Sequence, residues 1–337
     1  LMSQKSKALI LVNTGTPDKP TIPAVRRYLF QFLNDKRIID IPWLLRKLLV
    51  NFIIVPFRAP KSTRLYERLW TKQGSPLLIH LEALTKKVEQ IIGDEFDVYG
   101  AMRYGNPSFK KLFRELEHKG YDEIIVMPLY PQYATSTTES VADIINDLLP
   151  KWKNKPVIHF VRQFYNHAAF IQAFKSRIAA YEPENYDHVI FSYHGLPLRQ
   201  VDKMHPGIKS ETCPCTEELP VHGQYCYKAT TYHTTRLLAR ELNLAEENYT
   251  TSYQSRLSKN WLRPFTDETL INLAKAGKKR ILIAAPAFVA DCLETTIELG
   301  HEYKLLFEQH GGEKFKMVES LNDSDEWAKA ISMIIRK

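Results

Sequence analysis

No secretory leader is expected from the opening residues. Leu1-Met-Ser-Gln-Lys-Ser-Lys7 runs straight into the strand-like Ala8-Leu-Ile-Leu-Val12, without the apolar core and small-residue cleavage site that export needs. The chain lacks any run of the ~20 apolar residues that a membrane span requires. It is poor in cysteine, with four in 337 residues, which excludes a disulfide framework and makes a reducing, cytoplasmic compartment the expectation. Neither Gly-x-Gly-x-x-Gly nor Gly-x-x-x-x-Gly-Lys-Ser/Thr occurs, so the common phosphate-cradling loops are absent. No nucleic-acid-binding motif accompanies the basic charge, and no nucleic-acid partner is expected.

The composition is that of a folded protein, 44% apolar and 25% charged. The net charge of +8 is concentrated. Between Arg26 and Lys72 there are eleven Lys and Arg against Asp35, Asp40 and Glu67, an excess equal to that of the whole chain. These cations surround Ile41-Pro-Trp-Leu-Leu-Arg-Lys-Leu-Leu-Val-Asn-Phe-Ile-Ile-Val-Pro-Phe57. Arg46, Lys47 and Asn51 interrupt that stretch, which is too short to cross a bilayer. A Trp/Leu/Phe-rich segment with basic flanks suits the membrane interface, so peripheral contact with the inner face of the cell membrane is expected. The alternative is a buried helix with a solvated basic edge.

Strand-like runs alternate with helical patterns, as in parallel α/β architecture. The runs are 8–12, 96–102 and 123–129 in the first half, then 189–193, 249–253 and 280–285 in the second. The halves resemble each other. Lys7-Ala-Leu-Ile-Leu-Val-Asn-Thr-Gly-Thr-Pro17 parallels His188-Val-Ile-Phe-Ser-Tyr-His-Gly-Leu-Pro197. Glu123-Ile-Ile-Val-Met-Pro128 with Ser136-Thr-Thr-Glu139 parallels Ile281-Leu-Ile-Ala-Ala-Pro286 with Leu293-Glu-Thr-Thr296. The expected fold is α/β: two similar Rossmann-like, doubly wound parallel-sheet halves, residues 1–165 and 166–337, with a ligand cleft between their loop ends. In such sheets ligands bind outside the carboxyl ends of the strands.

Two reactive side chains fall at such ends. His194 closes an apolar run and is followed by Gly195-Leu-Pro197, a turn that allows close approach to the backbone. Glu294 opens a helix that follows the run ending at Pro286. Glu294, Glu298 and Glu302 recur every fourth residue, which predicts three carboxylates on one helix face and a path for cations or protons. An imidazole and a carboxylate together can hold a metal, move a proton, or do both. The bland alternatives are a structural histidine and a solvated acidic face.

Five ordered motifs carry a resemblance over residues 7–303: Leu11-Val-Asn-Thr-Gly-Thr-Pro17, Tyr130-Pro-Gln-Tyr-Ala-Thr-Ser-Thr-Thr138, Phe191-Ser-Tyr-His-Gly-Leu-Pro197, Tyr253-Gln-Ser-Arg256 with Trp261-Leu-Arg-Pro264, and Phe288-Val-Ala-Asp-Cys-Leu-Glu-Thr295. Together they resemble the ferrochelatases, which insert ferrous iron into a porphyrin to form haem. The resemblance implies that His194 and Glu294 are the catalytic pair, and that His194, Glu294, Glu298 and Glu302 handle the metal. It implies that Thr14, Tyr104, Tyr130, Gln132, Tyr133, Ser136 and Thr137 lie near the macrocycle. Residues 41–57 match the apolar lip of the porphyrin cleft, which in relatives contacts membrane. The substrates implied are Fe²⁺ and protoporphyrin IX or coproporphyrin III.

Two departures from the family pattern stand out. Cys292 follows Asp291 where some relatives carry a second histidine. Cys213-Pro-Cys215, His222 and Cys226 occupy a link that is usually shorter. Cys213, Cys215 and Cys226 are candidate accessory metal ligands for zinc or, with Cys292, for an iron–sulfur cluster, the alternative being free thiols in a polar loop. Alternative functions are a chelatase for another metal or tetrapyrrole, and a non-catalytic porphyrin or haem carrier.

Overall fold

The computed structural model describes residues 6–336. Eight strands form two sheets: β1 (Lys7–Thr16), β2 (Phe96–Gly105), β3 (Glu123–Pro128) and β4 (Val157–Phe160), then β5 (His188–His194), β6 (Tyr249–Gln254), β7 (Arg280–Ala284) and β8 (Lys314–Met317). The strand orders are β2-β1-β3-β4 and β6-β5-β7-β8, and the pairings between these strands are all parallel. The two orders coincide, as expected for duplicated halves.

Central strands are fully covered, which is why they read as unbroken apolar runs. Ala8, Ile10 and Val12 of β1 pack with Phe109, Phe113, Val141 and Ile145 from flanking helices. In the second sheet Ile190, Ile281 and Ile283 pack with Leu270, Leu299 and Phe307. The edge strands β4 and β8 escaped the sequence reading. They are four residues long and half exposed, so neither leaves a continuous apolar signature.

The chain divides into two compact units, each built on one sheet. The first takes in the chain up to Tyr130, Thr135–Arg162 and the chain from Asp323; the second is Pro131–Ala134 and Gln163–Asn322. This differs from a single boundary at 165/166 in three places: the main boundary falls at 162/163. Residues 131–134 leave the first half, and the C-terminal helix Asp325–Ile334 joins it. That helix packs on the helix Pro76–Ile92 through a face containing Trp327, Ile331 and Ile334. His80 and Lys87 of the same helix engage Asp323 at 2.7 Å and 3.7 Å.

The 41–57 segment is helical throughout. Trp43–Leu48 is α-helical, Leu49–Ile54 is wound with i→i+5 hydrogen bonds, and Val55–Leu69 continues as an α-helix. Trp43, Leu44, Leu45, Leu48, Phe52, Ile53 and Phe57 are all exposed, Phe57 to 77%. The buried-helix alternative therefore fails for this face. Arg46 is not among the solvated cations: it is buried, and its guanidinium donates to the Ile39 and Ile41 carbonyls at 3.3 and 3.0 Å. Among the described residues no helix is long and apolar enough to cross a membrane.

Candidate active site

His194 is the last residue of β5, paired in register with Gln254 of β6, and is half-buried. The strand ends there because Gly195 turns: its N–H donates to the Gln254 carbonyl at 2.8 Å. A Cβ on residue 195 would stand 2.8 Å from that same oxygen and 3.1 Å from the Trp261 ring, so only glycine fits without a shift. The His194 Nδ1 lies 2.7 Å from the Gly195 carbonyl oxygen. A carbonyl only accepts, so the neutral ring carries its proton on Nδ1 and leaves Nε2 as a lone pair. Trp261 and Phe288 flank the imidazole, each with its ring centroid 6.4 Å away. The Tyr227 hydroxyl donates to the His194 carbonyl at 2.9 Å.

Glu294 opens the segment Glu294–Glu302, which is wound with i→i+5 bonds: the Tyr303 N–H reaches the Glu298 carbonyl. Such windings are rare and are enriched at functional sites. Glu298 is gripped on both oxygens. The Ser255 N–H donates to Oε1 at 3.0 Å, the Ser255 hydroxyl donates to Oε2, and the Tyr303 hydroxyl donates to Oε1 at 3.1 Å. Ser255 reaches this position with φ at +60°, an uncommon backbone for a residue with a side chain. Burial raises the Glu298 carboxyl above its usual range; the Ser255 bond opposes this, the Glu294 charge adds to it and His194 opposes it. Glu294 and His194 thus both lie within electrostatic reach of Glu298. Glu302 does not join them in burial, since it is exposed. The expected line of three inward carboxylates is corrected to two, because the i→i+5 winding changes which residues share a face.

The expected porphyrin contacts fall in both units. Thr14 and Tyr130 lie at the carboxyl ends of β1 and β3, and the Thr14 hydroxyl donates to the Tyr130 oxygen at 3.1 Å. Burial pushes the Tyr130 phenol up to about 12. Ser136 and Thr137 are half-exposed on Thr135–Glu139, another i→i+5 turn. Tyr104 is different. It is buried, and its hydroxyl donates to Asp35 at 2.7 Å, so it presents no free polar edge. Asp35 also accepts from Arg103 Nη2 at 2.6 Å and from the Ser140 hydroxyl at 2.6 Å. Burial and then the Asp35 charge raise the Tyr104 phenol well beyond its ordinary value. In the second unit Gln132 is buried and donates to Thr234 at 3.1 Å, while its Oε1 has no partner. The Tyr133 ring meets Tyr225 edge-on at 5.5 Å.

Cys213, Cys215 and Cys226 are free and buried, whereas Cys292 is half-buried beside Glu294. As the side chains stand, the described residues contain no group of three or more His, Cys, Asp or Glu that could hold a metal ion.

Sequence reasoning gave no role to Ser255, Tyr303 or Asp35. Ser255 lay inside a quoted motif, and Asp35 was one of three acids in a basic stretch. Neither signal names a partner, because each partner is more than 40 positions away in the chain for Ser255 and more than 60 for Arg103.

A parallel sheet in each unit, with an imidazole and carboxylates at a carboxyl edge, defines an α/β protein of the chelatase type. Structure comparison agrees at the level of fold. The solved structure of SirB from Bacillus subtilis with Fe³⁺ matches with TM-score 0.55 and 10% identity, covering 98% of this chain and 94% of that one. The chain belongs to the ferrochelatase family, whose sequence profile matches residues 6–337. A ferrochelatase of Legionella pneumophila (strain Lens) is 41% identical over 98% of this chain and 99% of the relative. One from Coxiella burnetii (strain Dugway 5J108-111) is 38% identical over 98% and 93%. Members of this family are lyases that insert ferrous iron into a porphyrin for haem synthesis.

Proposed function

We propose that this chain performs that insertion with His194 as the proton acceptor and Glu294 as its carboxylate partner. The observation that carries the assignment is the Gly195 carbonyl at His194 Nδ1, which leaves Nε2 free to take a proton. A free-base porphyrin must lose two pyrrole protons as it gains Fe²⁺, and a planar ring hides the nitrogen lone pairs. A site that binds the ring bent lowers the barrier by favouring the transition state. One imidazole and one carboxylate suit transient handling of Fe²⁺, because a closed four-ligand site would retain the metal. Glu298, clasped by Ser255 and Tyr303, supports Glu294 by receiving protons or cations. Thr14, Tyr130, Ser136, Thr137, Gln132 and Tyr133 serve porphyrin binding, Tyr104 only by packing.

The exposed apolar face of residues 43–57 favours protoporphyrin, the less soluble substrate, delivered at a membrane surface by a peripheral protein on the cytoplasmic side. Anaerobic insertion of Fe²⁺ into protoporphyrin IX and into coproporphyrin III tests both parts. His194→Ala should lower the rate by about 10²–10⁴-fold while porphyrin binding survives. Near-normal turnover in that variant removes the assignment. Glu294→Gln should cost more than Glu298→Gln, and Glu302→Gln least. A larger effect at Glu302 reverses the order given to the carboxylates.

A further inference from the structure

β5 and β6 lie side by side, with Ser192 opposite Ser252 and His194 opposite Gln254. Side chains two apart along a strand leave the same face, and paired residues of parallel strands do so together. Ser192, His194, Ser252 and Gln254 therefore share one face of the second sheet. On that face Ile190 packs with Leu270, Ile281 and Ile283, and Phe288, one of the two rings beside the His194 imidazole, packs against the same cluster. In this apolar setting Ser192, Ser252, Thr266 and Gln254 are all buried, none exposed by more than 1%. Buried polar groups cost free energy unless each finds a partner, so a cluster of them beside a reactive histidine calls for a reason.

Three of them form a chain of hydroxyls that ends on the fourth. Ser252 Oγ is 2.8 Å from Thr266 Oγ1, which is 2.8 Å from Ser192 Oγ. The Ser192 hydroxyl donates to Gln254 Oε1 at 2.7 Å. A hydroxyl has one proton to give, so Ser192 accepts from Thr266, and Thr266 accepts from Ser252. All three protons point along the chain toward the amide. Such a series polarises itself and fixes which end of the amide is oxygen. The other end, Nε2, is buried and has no hydrogen-bond partner among the described residues. The hydroxyl chain is thus the amide's single polar tether. The backbone of Gln254 is placed as closely. Its carbonyl accepts the Gly195 N–H at 2.8 Å, one residue past His194, and the next residue is Ser255, which clasps Glu298.

We infer that Gln254 is a positioning residue for metal insertion, holding His194 and the Glu298 clasp in place through the chain Ser252–Thr266–Ser192. Thr266 is the first residue of the helix Thr266–Lys275, so the chain ties that helix to both strands at the edge where the reactive groups leave them. Gln254 acts through its neighbours: it sets where the imidazole and the carboxylate stand. A misplacement of about 1 Å in such groups can cost 10²-fold in rate. An apolar side chain at 254 would fill the space but leave the Ser192 hydroxyl without its acceptor. The inference rests on the roles proposed for His194 and Glu298.

The test is steady-state insertion of Fe²⁺ into protoporphyrin IX by the full-length protein, with kcat and KM measured separately. Gln254→Leu should lower kcat by about 10-fold or more and leave KM for the porphyrin within about 2-fold. Because that variant could fail to fold, Thr266→Val, which removes only the middle hydroxyl at nearly constant volume, is the second. It should lower kcat in the same way, and Thr266→Ser, which keeps the hydroxyl, should restore most of the loss. Ser192→Ala added to Gln254→Leu should cost nothing further, since both cut one tether. Unchanged kcat in Gln254→Leu or Thr266→Val overturns the inference, as do losses that multiply in the double variant, or a Thr266→Ser as impaired as Thr266→Val. His194→Ala separates the two levels. Near-normal turnover there removes the role of His194 itself, whereas an inactive His194→Ala beside a fully active Gln254→Leu removes only the role of Gln254.

Discussion

Ser255 clasps the Glu298 carboxylate with its backbone N–H and its hydroxyl at once, from a left-handed backbone conformation at the end of β6. Both bonds favour the ionised carboxylate, while burial favours the neutral acid, and burial prevails. The result is a carboxyl that titrates above the usual range within reach of His194.

Ser255→Ala removes the hydroxyl and keeps the N–H. A hydrogen bond to a charged group contributes about 1.5–3 kcal/mol, so the Glu298 pKa should rise by about one unit or more. The acid limb of the insertion rate against pH should move to higher pH by a similar amount. An unmoved limb would separate Glu298 from proton traffic.

His188, buried at the start of β5, lies 2.8 Å from the Thr250 hydroxyl, and its Nδ1 has no partner. Burial, with the nearby Lys278 charge, lowers its pKa to about 4. The folded state holds it neutral, so its contribution is full above the unfolded value of ~6.5 and is lost as pH falls from there through about 4. Unfolding free energy should drop by up to about 1.4 kcal/mol per pH unit across that window. In urea titrations at pH 7 and pH 5, His188→Gln should show a smaller difference between the two than the unaltered protein.

Asp35 gathers Arg103, Tyr104 and Ser140 around one nearly enclosed carboxylate. It joins the loop after the helix Ile22–Leu33 to the end of β2 and to the start of the helix Ser140–Leu148. Asp35→Asn leaves the Arg103 guanidinium facing an amide. A loss of about 2–4 kcal/mol in stability is expected, measured by denaturant unfolding. A change below 1 kcal/mol, within the spread of ordinary surface substitutions, would mean that water serves Arg103 equally well.

Trp43, Phe52 and Phe57 are exposed, so replacing all three by Ser should leave Tm nearly unchanged. Co-sedimentation with vesicles containing anionic lipid should be lost, while insertion into a detergent-solubilised porphyrin should persist. Undiminished vesicle binding would place the contact elsewhere.

Much of this protein is legible in one dimension. The four inner strands, β1, β3, β5 and β7, are covered on both faces, so their burial is written in contiguous apolar residues. The repeat of strand and turn in the two halves is written the same way, and it carries the shared strand order. His194 stands out because it closes such a run at its carboxyl end, and Glu294 because it opens the helical segment after one. The amphipathic 41–57 segment likewise announces an apolar face, although only the structure turned Arg46 inward.

Other features depended on groups distant in sequence. The edge strands β4 and β8 are defined by hydrogen bonds to β3 and β7, not by their own composition. The C-terminal helix could have packed on either sheet, and the apolar face of Pro76–Ile92 decided it. Four-residue spacing put Glu302 with Glu298, but the i→i+5 winding separated their environments, and Ser255 could be matched to Glu298 only once β6 was in place. The spacing of Cys213, Cys215 and Cys226 offered ligands, yet only the fold set the His205 ring beside the Cys226 sulfur, at 3.3 Å. Local sequence determined which residues seek burial and where reactive groups end a strand. Tertiary structure decided which of them meet, because hydrogen bonds and charge interactions act over a few ångströms whatever the separation along the chain.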